Sequence, residues 1–309
     1  MEQVTVFSPA TIANVSCGFD TLGVALDNLG DEMTLTRRED DQIVITQIEG
    51  ADLTKDPDKN VAGWVISRMI ADLSPGFGVD IAIHKGFKPG SGLGSSAASG
   101  AGAAFALNEL LGKPLSVRDL IPYAMEGERL VSGAPIADNV SASLLGGFVL
   151  VRSYDPLEIV SLPVPDDLAV AVIHPQIEIK TSEARDILPE QIPLRDAITQ
   201  WANLAGLVAS LYEGDLALFG RSLHDKVVEP YRKQLIPGFD DLREIVIDHG
   251  ALGFGISGSG PSLFAFCKGK QQADELASLM QEAYKETGID NKVYSSAISK
   301  QGTRISLKS

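Results

Sequence analysis

The sequence belongs with the mixed helix-and-sheet classes, α/β or α+β, on two observations. Segments with the 3.6-residue apolar period of helices are interleaved with segments that alternate, or run apolar, like strands. The 309 residues are 44% hydrophobic and 22% charged, which supplies a sizeable core and excludes a disordered chain.

The elements follow in order. Residues 4–9, 33–37 and 43–48 alternate apolar and polar side chains and are predicted strands. Residues 60–73 place Val61, Trp64, Val65, Met69 and Ile70 at helical spacing, and 78–84 read as a strand. Residues 95–112 form a helix rich in small residues, closed by Gly112 and Pro114. Residues 116–132 form another, with Ser116 as N-cap and Asp119 in its first turn. A strand is expected at 146–152. Residues 153–167 carry Pro156, Pro163 and Pro165 and are the candidate junction between two domains, 1–160 and 161–309. Beyond it, 168–173, 262–267 and 292–298 read as strands, and 194–212, 216–225, 239–249 and 271–286 as helices.

The formal net charge is -15. A general affinity for nucleic acid or for anionic membranes is therefore not expected, since both need a basic surface. Cys17 and Cys267 stand far apart, and His84, His174, His224 and His249 are dispersed, so neither a disulfide framework nor a zinc motif is spelled. The first residues lack a charged leader with an apolar core, and no apolar run reaches membrane-span length. A cytoplasmic location is the resulting expectation.

Three glycine-bearing stretches carry the chemistry. In His84-Lys85-Gly86-Phe87-Lys88-Pro89-Gly90-Ser91-Gly92-Leu93-Gly94-Ser95-Ser96-Ala97, a strand precedes the loop and a helix follows it. Glycine removes Cβ atoms, so backbone N–H groups can face one anion, and the helix start adds unpaired donors and a positive dipole end. Lys85 and Lys88 add charge, while Ser95 and Ser96 offer hydroxyls. Such a loop suits a triphosphate. It lacks the G-x4-G-K-[ST] pattern of a Walker A loop. A second cluster, residues 250–262, contains a literal GxGxxG at Gly253, Gly255 and Gly258. A dinucleotide site needs a strand before that motif and a helix after it, whereas here a helix precedes and a strand follows. The cluster is read as a loop packing beside the phosphate loop or the substrate. The third stretch, residues 8–23, is irregular and carries Asn14 and Asp20.

Together these stretches resemble the GHMP kinases, and within them the homoserine kinase branch. The phosphate loop is the most specific match. Pro9-Ala10-x3-Asn14-x3-Gly18-Phe19-Asp20-x2-Gly23, Asp138-Asn139-x6-Gly146-Gly147, Thr181-x2-Ala184-Arg185-x2-Leu188-Pro189, Glu229-Pro230-x-Arg232 and Ser257-Gly258-Ser259-Gly260-Pro261-Ser262 are similar to the branch's other motifs. The resemblance implies an α+β fold of two domains. One is an N-terminal ATP-binding domain like ribosomal protein S5 domain 2, with a left-handed βαβ crossover. The other is a ferredoxin-like C-terminal domain, with ATP between them. It also implies ATP, Mg²⁺ and L-homoserine as ligands, O-phospho-L-homoserine as product on the route to threonine, and assembly as a homodimer.

Roles follow from the resemblance. Nucleotide contacts fall on Asn60, near the adenine, and on Lys88, Pro89, Gly90, Ser91, Gly92, Leu93, Gly94, Ser95, Ser96, Ala97 and Ser259. Ser96 and Glu128 fall on Mg²⁺. Asp20 suits the substrate ammonium with Asn14 beside it, Arg185 and Arg232 its carboxylate, and Thr181 adds a hydroxyl. In the mevalonate kinase branch an Asp stands seven residues before the Gly-Gly pair; here Asn139 holds that place and Asp138 is one residue out of register. The expectation is transfer without a side-chain base, carried by positioning, Mg²⁺, Lys85 and the loop N–H groups, with Asn139 at the reacting hydroxyl. The chain departs from many relatives at Ser16-Cys17, where they have Gly-Pro, and at Ile136, where they have His. The alternatives are a kinase acting on mevalonate, shikimate or a sugar, and a catalytically silent nucleotide binder.

Overall fold

A computed structural model of the protein describes residues 1–306. The chain opens with β1 (Gln3–Ala13), β2 (Leu22–Arg37), β3 (Ile43–Glu49), α1 (Val61–Leu73) and β4 (Val79–His84). It continues with α2 (Ser95–Leu110), α3 (Ile121–Ser132), α4 (Asp138–Leu145), β5 (Phe148–Tyr154) and β6 (Leu157–Leu162). These strands form one sheet in the order β11-β1-β2-β4-β3, with β5 also paired to β2 and β6 to β5; β11 (Arg304–Ile305) returns to it from the far end of the chain. All pairings are antiparallel except β3 with β4, which α1 connects as a crossover.

Then come β7 (Leu168–Pro175), α5 (Thr181–Asp186), α6 (Leu194–Glu213), α7 (Leu216–Ser222), α8 (Glu229–Arg232), α9 (Phe239–Asp248), β8 (Gly253–Ile256), β9 (Leu263–Lys268), α10 (Lys270–Tyr284) and β10 (Asn291–Ala297). The second sheet runs β10-β7-β9-β8, all antiparallel. Numbered in chain order, its strands lie 4-1-3-2, the ferredoxin-like arrangement, so the fold is the two-part α+β architecture expected.

Three cores hold this together. One lies between the first sheet and α1–α4, where Ala97, Ala101 and Ala104 are fully buried and let α2 sit close on the strands. Another lies beneath α9 and α10. The third joins the two halves: Ile12, Val24 and Phe148 from the first sheet meet Val170, Phe264 and Phe266 from the second and Phe219 from α7. Phe219 stacks edge-on to Phe148 and Phe266, with centroids 6.1 and 5.3 Å apart. Burying side chains of this kind contributes about 1.5–3 kcal/mol each, which fixes the walls of the cleft between the halves.

Several expectations change. The 153–167 stretch is not one irregular junction: β5 and β6 form a hairpin inside it, and only 163–167 crosses between sheets. Strand β2 begins at Leu22, eleven residues before the predicted start at 33: Gly23, Asp27-Asn28 and Gly30 interrupt the alternation, and the pairing with β1 jumps from Gly30 to Ala25 across an irregularity before it resumes. Helices α4 and α5 were not foreseen. Both are short, and α4 (DNVSASLL) is poor in strong helix formers. The GxGxxG of residues 253–258 lies on the β8–β9 hairpin. Ser116 does cap its segment through a capping box with Asp119, although the first turn is 3-10.

Candidate active site

A cleft of about 310 Å³ runs between the halves. Asn14, Asp20, Asn60, Lys85, Pro89, Gly90, Gly92, Gly94, Ser95, Ser96, Glu128, Asn139, Thr181, Arg185, Arg232 and Ser259 all line it. Residues from eight separate stretches of chain thus converge on one space.

Backbone builds one end. The loop 89–94 is left-handed at Gly92 and Gly94 (φ 81° and 69°). A Cβ on Gly92 would stand 2.6 Å from Gly260 O, and one on Gly94 2.0 Å from Thr11 Oγ1, so only glycine fits both in conformation and in space. The loop is pinned from both halves. Thr11 N donates to Leu93 O (3.0 Å), and Ser257 Oγ donates to Gly92 O (2.6 Å). The second glycine cluster therefore does pack on the phosphate loop, through its Ser257–Gly260 turn. Gly94 is the N-cap of α2 and no side chain caps the helix. The first N–H groups of α2 are left for an anion.

Four loop residues do not line the cleft. Leu93 and Ala97 are buried core residues, and Ser91 is fully buried, its Oγ accepting from Leu93 N at 3.4 Å. Lys88 is exposed on the His174 side, where burial first and then the Lys88 charge depress that imidazole. Lys85 departs from expectation more sharply. Its buried ammonium donates to Asp31 Oδ2, to Ser95 O (3.0 Å) and to Ser99 Oγ (3.0 Å). An ammonium has three protons, so none remains for a phosphate. Burial pushes Lys85 down and Asp31 up from their ordinary values despite the pairing. Lys85 ties the start of α2 to the sheet. Asn60 is likewise engaged: its Oδ1 caps α1 at Ala62 N (3.0 Å) and its Nδ2 donates to Thr54 O (2.9 Å).

Side chains build the other end. The loop between β1 and β2 holds Asn14, Val15, Ser16 and Asp20 at positive φ (68°, 42°, 62° and 56°). The Asn14 amide accepts from Asp20 N (3.0 Å) and donates to Gly258 O (2.9 Å), bracing this loop against the second half. Arg185 Nη2 donates to both Asp20 oxygens, at 3.1 and 3.0 Å. Arg232 is 3% exposed; it donates to Ala184 O and Gly258 O, each at 2.9 Å. Burial brings it down to about 10, so it stays cationic at neutral pH. Both guanidinium groups lie over the Phe19 ring, at 5.5 and 5.0 Å. The role of Phe19 was missed, although its motif position next to Asp20 was visible.

Glu128 and Asp138 stand where the ends meet. Glu128 is buried, its Oε1 has no hydrogen-bond partner, and Ser96 bonds to its carboxyl, whose affinity for the proton burial raises. Asp138 was left out of the expected site by its register, yet it lines the cleft beside Asn139. Its Oδ1 accepts from Asn139 N at 2.6 Å, and burial, with Asp20 and Glu128 nearby, pushes it up to about 7. Asn139 Oδ1 accepts from Thr11 Oγ1 at 2.6 Å. Ile136 lines the cleft as well. Cys17 and Cys267 are free and buried, each pushed up to about 12 by desolvation, and so are poor nucleophiles. Among the described residues no helix is long and apolar enough to cross a membrane, and no group of three His, Cys, Asp or Glu gathers for a metal.

Comparison with known proteins gives the family. The family models for the GHMP kinases N terminal domain and the GHMP kinases C terminal match residues 60–147 and 207–286. The chain is 42% identical to a homoserine kinase of Chloroherpeton thalassium over 99% of this chain and 100% of that one. It is 43% identical to one of Methanococcus maripaludis over 92% and 94%. The crystal structure of homoserine kinase from Cytophaga hutchinsonii superposes with a TM-score of 0.95 at 48% identity, covering 99% of this chain and 98% of that one. The chain belongs to the GHMP kinases and, within them, to the homoserine kinase family.

Proposed function

We propose that the protein transfers the terminal phosphoryl group of ATP to the side-chain hydroxyl of L-homoserine, giving O-phospho-L-homoserine for threonine synthesis. The observation that carries this reading is one cleft with an anion cradle at one end and a matched acid–base pair at the other. An α-amino acid bears its ammonium and carboxylate on adjacent atoms of one centre. The groups that receive them must therefore be neighbours, and Asp20 and Arg185 are 3.0 Å apart. The zwitterion would take Asp20 for its ammonium and Arg185 with Arg232 for its carboxylate, exchanging one ion pair for two. Mevalonate or a sugar has no ammonium to satisfy Asp20.

The phosphates would lie on the Gly90–Gly94 backbone and the first N–H groups of α2. Glu128, buried and short of a partner, and Ser96 beside it suit a hard cation; Mg²⁺ bound there would neutralise charge on the β- and γ-phosphates. Asn139 and Asp138 then border the hydroxyl. With its proton affinity raised to about 7, Asp138 fits a proton acceptor, although it stands one residue out of register. We propose residues 1–160 as the nucleotide-holding part, joined by β11 from the far end of the chain, and the second sheet with its helices as the part that borders the acceptor, with Thr181 and Ser259 on the cleft.

The test is ADP release with L-homoserine, mevalonate, shikimate and galactose as acceptors. Turnover is expected with homoserine alone. Turnover with any of the others, and not with homoserine, would remove the assignment.

A further inference from the structure

Tyr154 ends β5 and does not line the cleft. Its side chain nevertheless reaches both elements that border the acceptor. Strand β5 pairs with the start of β2, Leu150 opposite Leu22, and Val151 N donates to Thr21 O at 2.8 Å. That pairing brings the end of β5 beside the acceptor loop. There the Tyr154 hydroxyl donates to Asp20 O at 3.2 Å and accepts from Ala137 N at 3.3 Å. Asp20 belongs to the loop between β1 and β2, whereas Ala137 is the N-cap of α4, directly before Asp138 and Asn139. One hydroxyl thus joins two stretches that are distant in sequence.

Both stretches need a hold from outside. Asp20 sits at φ 56°, a left-handed value that a residue with a Cβ keeps only when its surroundings over-determine it. Asn14 Oδ1 accepts from its N–H at 3.0 Å, and Tyr154 takes its carbonyl. Helix α4 has no side-chain cap of its own. Ala137 is fully buried, so its N–H would otherwise be stranded away from water. The two tasks need a donor and an acceptor on one atom, which a phenol supplies while it keeps its proton. Burial pushes this phenol up to about 12, so it stays protonated at neutral pH. Tyr154 is itself 45% exposed, so apolar burial gives little reason for an aromatic side chain here. The hydroxyl is the group that the fold uses.

We infer that Tyr154 is a positioning residue: its hydroxyl fixes the distance between Asp20, which takes the acceptor's ammonium, and the start of α4, where Asp138 and Asn139 border the acceptor's hydroxyl. The inference rests on the homoserine reading above. In that acceptor a fixed number of methylenes separates the amino centre from the hydroxyl. A site that grips both ends therefore reads chain length, and a shift of about 1 Å between its two receptors costs up to about 10²-fold in rate.

Tyr154→Phe keeps the ring and removes the tie. With L-homoserine, kcat should fall about 10–10²-fold, while the KM for ATP stays within about twofold. L-Serine and 5-hydroxy-L-norvaline carry the hydroxyl one methylene nearer and one farther. The preference for homoserine over both should narrow by about tenfold in the variant. A merely structural loss would lower all three acceptors alike. Without any substrate, the Ala137 amide should exchange its proton about fivefold faster than in the wild type. A kcat within about twofold of wild type, an equal loss with all three acceptors, or an unchanged Ala137 exchange rate overturns the inference and leaves the homoserine reading standing. A wild type idle on homoserine removes that reading itself, and the inference with it.

Discussion

The two ends of the cleft solve the same problem, holding charge in a fixed place, with different materials. The phosphate end is backbone. Its left-handed positions are glycines, and its donors are N–H groups at a helix start. The acceptor end is side chain. Its left-handed positions are Asn14, Val15, Ser16 and Asp20, each of which meets a Cβ penalty that glycine avoids. A phosphate chain offers the same oxygens all along, so a continuous loop can hold it. A zwitterion demands one acid and one base at set positions, so Asp20, Arg185 and Arg232 must be drawn from distant stretches. The contrast predicts that damage near the acceptor will be specific and damage near the phosphates general.

The largest effect is expected where the ends meet. Asp138→Asn removes the carboxyl but keeps its shape and its place on α4. If Asp138 takes the hydroxyl proton, turnover should fall about 10²–10⁴-fold with little change in either KM. Its protonated form, dominant below about pH 7, cannot accept a proton, so wild-type kcat should rise through that pH and level off above it, and the variant should lose this limb. The stability change has its own sign. Burial holds the folded-state value above the unfolded one, so stability falls as pH rises from the unfolded carboxyl value of 3.8 to about 7, and the loss is complete above that. Asp138→Asn should then raise Tm at pH 8 more than at pH 5. Turnover within tenfold of wild type would return the mechanism to transfer without a side-chain base.

Next comes a split within the acceptor end. Arg232 is buried and Arg185 has a side chain 45% exposed. Truncating a buried, hydrogen-bonded charge costs about 2–5 kcal/mol, so Arg232→Ala should lower kcat/KM for homoserine roughly 10²–10³-fold while the KM for ATP moves little. Water screens Arg185, and its loss should cost nearer tenfold. Equal rises in both substrates' KM would mean that Arg232 holds the halves together, through Ala184 O and Gly258 O, rather than the substrate.

How much of this the sequence disclosed follows the same division. The phosphate loop was legible because a contiguous backbone motif spells its own geometry: strand, glycines, helix. Even so, the string could not show which members face the ligand. Lys85, Lys88, Ser91, Leu93 and Ala97 sit within it, yet the fold spends them on the α2 anchor, the outer surface, a turn and the core. The acceptor residues carry no such local signal. Asp20 and Arg185 are 165 positions apart, and only resemblance to a family joined them. Asp138 was hidden by register counting, which tracks one side chain per position and cannot see that the first turn of α4 presents two neighbours to one space. Helices α4 and α5 escaped because they are too short to complete an apolar period, and the Asn14–Ser16 run because nothing in those residue types announces positive φ.

Lys85→Met tests the scaffold of the phosphate end. Removing one partner of a buried ion pair costs about 3–5 kcal/mol, so thermal unfolding should fall by roughly 6–20 °C. Because the ammonium has no proton left for ATP, turnover of the folded variant should drop less than about tenfold, at the low end of what an active-site electrostatic group commands. Adding Asp31→Leu should restore most of the stability. A loss of 10³-fold or more in the stable double variant would mean that Lys85 reaches the phosphates after all.

The smallest effect on turnover is expected from Ser16→Gly, and here the sign matters. Ser16 sits at φ 62°, and its Oγ is buried without a hydrogen-bond partner. Glycine relieves left-handed strain of about 1–2 kcal/mol and removes a stranded hydroxyl that costs about 1–3 kcal/mol. Against this stands about 0.5–1 kcal/mol of extra backbone entropy in the unfolded chain. The balance favours the variant by at least about 1 kcal/mol, or about 2–4 °C in Tm. Since the Ser16 side chain lies outside the main cleft, the homoserine KM should stay within about twofold, well below the 1.4 kcal/mol that a tenfold change represents. A fall in Tm would show that the acceptor loop is not strained at Ser16, and the contrast with the glycine-built end would then rest on chemistry alone. A rise in Tm with a weakened homoserine KM would be more informative. It would mean that the strain itself holds Asn14 and Asp20 in place, and that the acceptor end gives up stability to keep an acid where the substrate ammonium must land.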